Sequence, residues 1–233
     1  MTNEEKIKLE KYIALLTPEV EKLFGSDTSG HDTAHLTRTM QTALYIANKE
    51  QHNENINEVV VGVAAFLHDV HRFLQGQNGK YYTPKQSLPT AEKILKVLPL
   101  TKEEKDLILL CIEHHEVYNW NDPENCKRPI EALIVQDADN LDAIGAIGIV
   151  RCFNFGTTHN IPWHNPNVPF DTSDTYNEDN GFEDASSLHH FYHKLFKLGK
   201  NMNTKTGKKL ASERIAFMKT FTNQLLDELD SKF

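Results

Sequence analysis

Long apolar runs are missing from this chain. None approaches the roughly 20 residues that a helix needs to span a bilayer, so no membrane segment is expected. The stretch MTNEEKIKLEKYIALL carries acids and lacks the compact apolar core of a secretory leader, which argues against export. Cysteine is scarce: Cys111, Cys126 and Cys152 are odd in number and show no CxxC spacing. That pattern points away from a disulfide framework and from a thiolate zinc site, and towards a reducing, cytoplasmic setting. Positive charge is also in deficit, with 25 Lys and Arg against 33 Asp and Glu and a formal net charge of -8. Such a balance argues against a nucleic-acid backbone as the main partner, while leaving room for a local basic pocket. There is no internal repeat and no low-complexity linker, so the expected organisation is one domain over residues 1–233.

Helical signals fill the space that these absences leave. Thr2 and Glu5 form a capping box ahead of an apolar-periodic run. Thr17 and Pro18 predict a fresh helix start. Leu36, Met40, Ala43, Leu44 and Ala47 make one stripe. INEVVVGVAAFLHDV is almost continuously apolar and predicts one buried helix, as does PIEALIVQDADNLDAIGAIGIVRCF. TAEKILKVL and TKEEKDLILLCIEHHE predict two more, the second opened by Thr101 and Glu104. ASSLHHFYHKLFKL and SERIAFMKTFTNQLLDELD complete an all-α chain. Two stretches, about 75–88 and 156–183, lack periodicity and are expected to be long loops acting as lids.

Histidine is the one residue in excess, at twelve copies. Four places set His or Asp inside or at the end of an apolar helix: HDTAHLTR, LHDVHR, IEHHE and VQDADNLDAIG. Each has an ordinary explanation. His31 and His35 fit a solvated face, His114 and His115 suit a helix carboxyl end, and the aspartates could form a solvated stripe. Burial among apolar neighbours changes the balance, because carboxylates there need a cation or donors. Imidazole plus carboxylate is a mixed N/O set suited to divalent transition metals. His68 and Asp69 project about 100° apart and can still meet one ion near a helix end. One side chain from each of two other helices then leaves positions for water and substrate, as in a catalytic site.

His35, the doublet His68-Asp69 and the distal Asp139 in DADNLDAIG resemble the H…HD…D signature of the HD-domain metal-dependent phosphohydrolases. That likeness covers about residues 27–153. The stretches DADNLDAIGAIGIVRCF, LHHFYHKLFKL and MNTKTGKKLASERIAFM are similar to the tail of a bacterial branch of predicted HD hydrolases, whose relatives include nucleotide pyrophosphohydrolases. The resemblance implies an all-α helical bundle with a metal-site core and a helical extension over about 184–233. It implies His35, His68, Asp69 and Asp139 as ligands of a divalent metal, with Asp137 as the fallback. Manganese comes first, with Mg, Co, Ni, Fe or Zn as alternatives. His114 and His115 resemble histidines that some branches use for a second ion. Where other branches carry an acid a turn after the doublet, this chain has His71 and Arg72.

The implied activity is metal-dependent hydrolysis of a phosphoester or phosphoanhydride in a nucleotide or related small phosphorylated substrate, including nucleoside triphosphate pyrophosphohydrolysis. His71 or His115 would carry the proton. Arg38, one turn after His35, would meet phosphate oxygens together with Arg72, Lys194 and Arg214. His190 would approach the site, and Tyr81, Tyr82, Trp163 or Tyr176 would stack on a base from the loops. Two other classes stay open: a di-iron oxygenase and a catalytically idle nucleotide-binding module. The apolar face of the last helix leaves oligomerisation open as well.

Overall fold

The computed structural model describes residues 1–24, 30, 32–51, 55–78, 80–117, 128–174, 176 and 185–231. Among these residues all regular structure is helical, as the sequence pattern predicts. Helix α1 runs Asn3–Phe24, α2 Thr33–Glu50, α3 Glu58–Leu67, α4 Val70–Asn78, α5 Pro84–Leu95, α6 Lys102–His114, α7 Ile130–Asp142 and α8 Gly145–Thr158. The chain continues through α9 (Ser187–His190), a π turn (Phe191–Leu195), α10 (Phe196–Leu198) and a 3-10 turn (Gly199–Asn201) to the long α11 (Lys205–Leu229). No helix among the described residues is long and apolar enough to cross a membrane.

Helix α3 is the axis of the fold. Every residue from Glu58 to Leu67 is buried, because α2, α6, α7 and α1 surround it. Helix α1 covers one flank through Leu9, Tyr12, Leu16, Val20 and Phe24, all buried on one stripe. That stripe corrects the expectation of a new helix at Thr17. Pro18 lies inside a continuous helix, and the Thr17 hydroxyl donates back to the Ile13 carbonyl at 2.7 Å. Burial of Leu16 and Val20 on either side of the proline outweighs one missing backbone hydrogen bond. The capping boxes at Thr2–Glu5 and Thr101–Glu104 form as the sequence predicts.

Four boundaries differ from expectation. The apolar run around VVVGVAAFLHDV divides between Leu67 and Val70, so the His68-Asp69 doublet sits in the break between α3 and α4. The run from Ile130 to Phe153 also divides, at Ala143 and Ile144, where Gly145 takes a left-handed φ of +80° with the Arg214 side chain against it. The expected loop over 75–88 is mostly helix. Thr83 and Gln86 make a third capping box with Pro84 at the first helical position, leaving 79–83 between α4 and α5. The second expected loop begins later, because α8 extends to Thr158. Its described part is tied to α9 by Ser187 N donating to the Pro162 carbonyl at 2.9 Å and Leu188 N to that of Trp163 at 3.0 Å. The rest of that stretch, residues 175 and 177–184, lies outside the described residues, as do His31 and Cys126.

Asp137, the fallback ligand, serves the scaffold. It is fully buried and accepts from the backbone N–H groups of Asn203 and Thr204, each at 2.8 Å, from Asn203 Nδ2 at 2.8 Å and from the Thr204 hydroxyl at 2.7 Å. Thr204 in turn caps α11 by accepting from Gly207 N at 2.9 Å. A Cβ at position 207 would overlap Asp137 Oδ2. We expect Gly207→Ala to lower the unfolding free energy by about 1–3 kcal/mol, the usual cost of overpacking a filled site. Urea denaturation measures this, and an unchanged midpoint would show that the joint between α7 and α11 is loosely packed.

Candidate metal centre

Four imidazoles, those of His35, His68, His71 and His115, are fully buried at the centre of the bundle beside Asp69. Each comes from a helix end. His35 lies in the first turn of α2, where its backbone N–H donates to the N-cap Asp32 at 2.8 Å. His68 follows the last residue of α3, and its Nδ1 donates to the Ala65 carbonyl at 2.8 Å. His115 follows the last residue of α6 and donates from Nδ1 to the Ile112 carbonyl at 2.7 Å. Helix carboxyl ends leave carbonyls without backbone partners, and here a ring N–H takes one. His35 Nδ1 faces Asp142 Oδ2 at 2.7 Å. These partners assign the proton to Nδ1 in all three rings and leave Nε2 as the lone-pair atom.

The lone-pair atoms converge. His35 Nε2 and His68 Nε2 are 3.2 Å apart. Asp69 Oδ2 lies 3.3 Å from the first and 3.6 Å from the second. Asp139 Oδ1 lies 3.5 Å and 3.4 Å from them. Ligand atoms held about 2.1 Å from a tetrahedral ion stand about 3.4 Å from each other. Two imidazole nitrogens facing each other beside two carboxylates need positive charge among them; a proton on His68 Nε2 supplies it in the metal-free protein, and this donor set fits a divalent metal that displaces that proton. The electrostatics agree. Burial alone would push the His68 pKa down, but Asp69 and Asp139 raise it to about 9. Burial would raise the Asp139 pKa, and His68 overcomes that, holding it well below the carboxylate range.

A second group extends from the first. His115 Nε2 is 3.9 Å from Asp69 Oδ1, and His71 Nε2 is 3.3 Å from Glu116 Oε2. His71, His115 and Glu116 together also offer ligand atoms close enough for a metal ion; His114 belongs to none of these groups. Neither ring nitrogen of His71 nor Nε2 of His115 has a hydrogen-bond partner among the described residues. Burial, reinforced by the charge of His68, lowers the His115 pKa to about 4, so this ring is neutral. Burial would raise the Glu116 pKa, but His71, His115 and Arg72 bring it to about 2. Arg72 pairs with Glu116 Oε1. A carboxylate from just beyond the end of α6 thus stands against His71 and Arg72. IEHHE contained it, but nothing in that stretch indicated that it faces α4.

Asp142 is the anchor on the other side. Besides His35 it accepts from Arg38 Nε at 2.9 Å, Arg38 Nη2 at 3.0 Å and Arg151 Nη1 at 3.0 Å. Burial opposes its ionisation, but these donors hold its pKa below the usual range. A cavity of about 280 Å³ opens beside Asp139, with Arg72, Glu116, Arg151, His190 and Lys194 among its lining. Two of the expected phosphate contacts lie outside this lining. Arg38 forks onto Asp142, and Arg214 donates to the Leu141 carbonyl and packs against Gly145; neither lines the cavity. Arg151 does, and was not singled out by its sequence context in α8. Tyr81, Tyr82, Trp163 and Tyr176 are not in the lining either; Phe155 is the aromatic there. The Lys194 ammonium sits 5.2 Å over the Tyr176 ring.

The family model for the HD domain matches residues 33–144. Over 206 residues the chain is 30% identical to YpgQ of Bacillus subtilis, covering 88% of each protein. It is also similar to an HD-superfamily hydrolase of Bacillus thuringiensis, with 30% identity, 97% of this chain and 100% of the other covered, and a TM-score of 0.69. A crystal structure of Bacillus subtilis YpgQ in complex with ADP matches with 28% identity, 95% and 96% coverage and a TM-score of 0.67.

Two outcomes test the centre. The His68 pKa of about 9 exceeds its ordinary 6.5, so its proton contributes stability to the metal-free protein that is complete below about pH 6.5 and lost as pH rises through about 9. Cation binding competes with that proton. Affinity for Mn²⁺ should rise about tenfold per pH unit across this window in calorimetric titrations. A flat profile would exclude His68 as a ligand. Asp142→Asn should weaken Mn²⁺ binding by about 10–100-fold by releasing the His35 ring; unchanged affinity would mean that another contact orients it.

Proposed function

The chain belongs to the HD domain family and is a metal-dependent hydrolase, and from that premise we propose that it cleaves a phosphoester or phosphoanhydride bond of a nucleotide, with nucleoside triphosphates and pyrophosphate release as the first substrate and product to test. The observation that carries this reading is the convergence of His35, His68, Asp69 and Asp139, with the two imidazole Nε2 atoms 3.2 Å apart and 3.3–3.6 Å from the carboxylate oxygens, behind a cation-lined cavity that Asp139 reaches. In this reading those four residues hold the ion, and the mixed N/O set favours manganese. When bound, a divalent metal supplies Lewis acidity: it makes water nucleophilic near neutral pH and draws charge from phosphoryl oxygens.

The remaining work falls to the chain itself. Asp142 holds the His35 ring in the tautomer that presents Nε2. Arg72, Arg151 and Lys194 neutralise and orient phosphate oxygens from the cavity wall. His115, neutral and with Nε2 towards Asp69, accepts a proton. Glu116 lines the cavity while touching the fully buried His71, so this pair passes a proton between the cavity and the interior. The ADP held by YpgQ supports a nucleotide as the ligand class here.

The test reloads metal-free protein with Mn, Mg, Co, Ni or Zn, offers nucleoside mono-, di- and triphosphates, and separates phosphate from pyrophosphate. Asp69→Ala should lower turnover at least about a hundredfold while the helical signal persists. Unchanged turnover would sink the assignment. Oxygen uptake by the iron-loaded protein without phosphate release would support a di-iron oxygenase. Nucleotide binding that survives His68→Ala, with no turnover under any metal, would support an idle binding module.

A further inference from the structure

The cavity beside the metal centre carries two polar groups that the hydrolytic reading does not use. Asn140 and Ser187 both line it and are only 2% and 3% exposed. Neither Asn140 Nδ2 nor Ser187 Oγ has a hydrogen-bond partner among the described residues. A buried amide or hydroxyl left unpaired is unfavourable, and native proteins keep few of them. Both residues line one cavity with these atoms turned inward and covered, and a ligand there that draws the Asn140 amide and the Ser187 hydroxyl round would satisfy both. Their surroundings say what kind. Asn140 on α7 and Ala143 just past its end, then Gly148, Cys152 and Gly156 at one-turn spacing on α8, line the cavity. This row is uncharged and mostly small. Gly156 abuts Ser187, since a Cβ there would overlap Ser187 Oγ. Ile161 continues the same wall, its N–H donating to the Gly156 carbonyl at 2.8 Å.

We propose that Asn140 and Ser187 form a recognition subsite for the uncharged part of the substrate: a planar heterocyclic base with a carbonyl or ring-nitrogen acceptor. Asn140 Nδ2 donates to that acceptor, and the Ser187 hydroxyl donates or accepts beside it. The glycines at 148 and 156 let α8 lie close against the Ala143 carbonyl and the Ser187 side chain, where a Cβ would overlap each. The charged wall of Arg72, Arg151 and Lys194 takes the phosphates, so the two residues decide which nucleotide is preferred rather than how the bond breaks. This inference rests on the nucleotide reading above.

The experiment measures binding to the metal-loaded protein by calorimetry, using ADP, GDP, CDP and UDP, with inorganic pyrophosphate as the probe that lacks a base. Asn140→Ala and Ser187→Ala should each weaken the best-bound nucleoside diphosphate by about tenfold and narrow the spread among the four, with pyrophosphate affinity held within about twofold. The melting temperature of the ligand-free variants should not fall, because neither group has a partner to lose. Asn140→Leu, which fills the same space without the amide, should repeat the effect of Asn140→Ala. Equal losses for pyrophosphate and nucleotides, unchanged nucleotide affinities, or a marked fall in melting temperature would overturn the subsite. Wild-type protein that binds pyrophosphate but gains nothing from any base would overturn it too, and leave a phosphohydrolase standing. Protein that binds neither would overturn the nucleotide reading itself.

Discussion

The hydrogen bond from His35 Nδ1 to Asp142 Oδ2, 2.7 Å long, decides which nitrogen of that ring carries the lone pair. Had the ring flipped, its acceptor would face the aspartate and its proton would face His68. The same constraint operates at His68 and His115, where the fixing partner is a carbonyl three residues back at the end of a helix. Those two rings are therefore oriented by the local chemistry of a helix terminus, whereas His35 takes its orientation from a side chain of α7. Asp142 itself needs fixing, and Arg38 and Arg151 do this from α2 and α8. Both arginines keep the carboxylate ionised in a buried position, which makes it a strong acceptor.

Helix α7 divides its three aspartates between two faces. Asp139 turns to the imidazoles, Asp142 reaches the back of His35, and Asp137 binds the start of α11. Residues 139 and 142 share a face at one-turn spacing, whereas 137 lies two positions away and so points elsewhere. The helix ends directly after the last of the three, and Gly145 with its left-handed backbone lets α8 leave at a new angle. That turn is what brings Arg151 back towards Asp142 and lines the cavity with the small residues of α8.

Much of this was legible in the chain. His35, His68, Asp69 and Asp139 stood out because titratable groups in apolar surroundings demand partners, and the structure brings their ligand atoms together. The helices were legible from periodicity, and two capping boxes from the Thr-x-x-Glu pattern. The breaks at 68–69 and 143–144 were not. The first is closed by a ring-to-carbonyl bond and the second by a glycine that also suits a helix packed closely on its neighbour. Long-range pairing was hidden as well. Arg38 finds Asp142 across 104 positions, and Glu116 finds Arg72 across 44. Nothing in either local pattern separates such an arginine from one that awaits a phosphate. Pro18 misled for a related reason: its local rule was right, but the burial that overrides it comes from α3.

The match to the HD domain stops at residue 144, yet one of its innermost carboxylates is satisfied from beyond it. Among the described residues, Asp137 takes all four of its hydrogen bonds from Asn203 and Thr204. The catalytic core in this chain is therefore not a portable module. A graft cut at the family boundary would carry a buried carboxyl group stripped of the Asn203 and Thr204 donors, two residues from Asp139. Any swap of the core between relatives has to take the opening of the last long helix along with it.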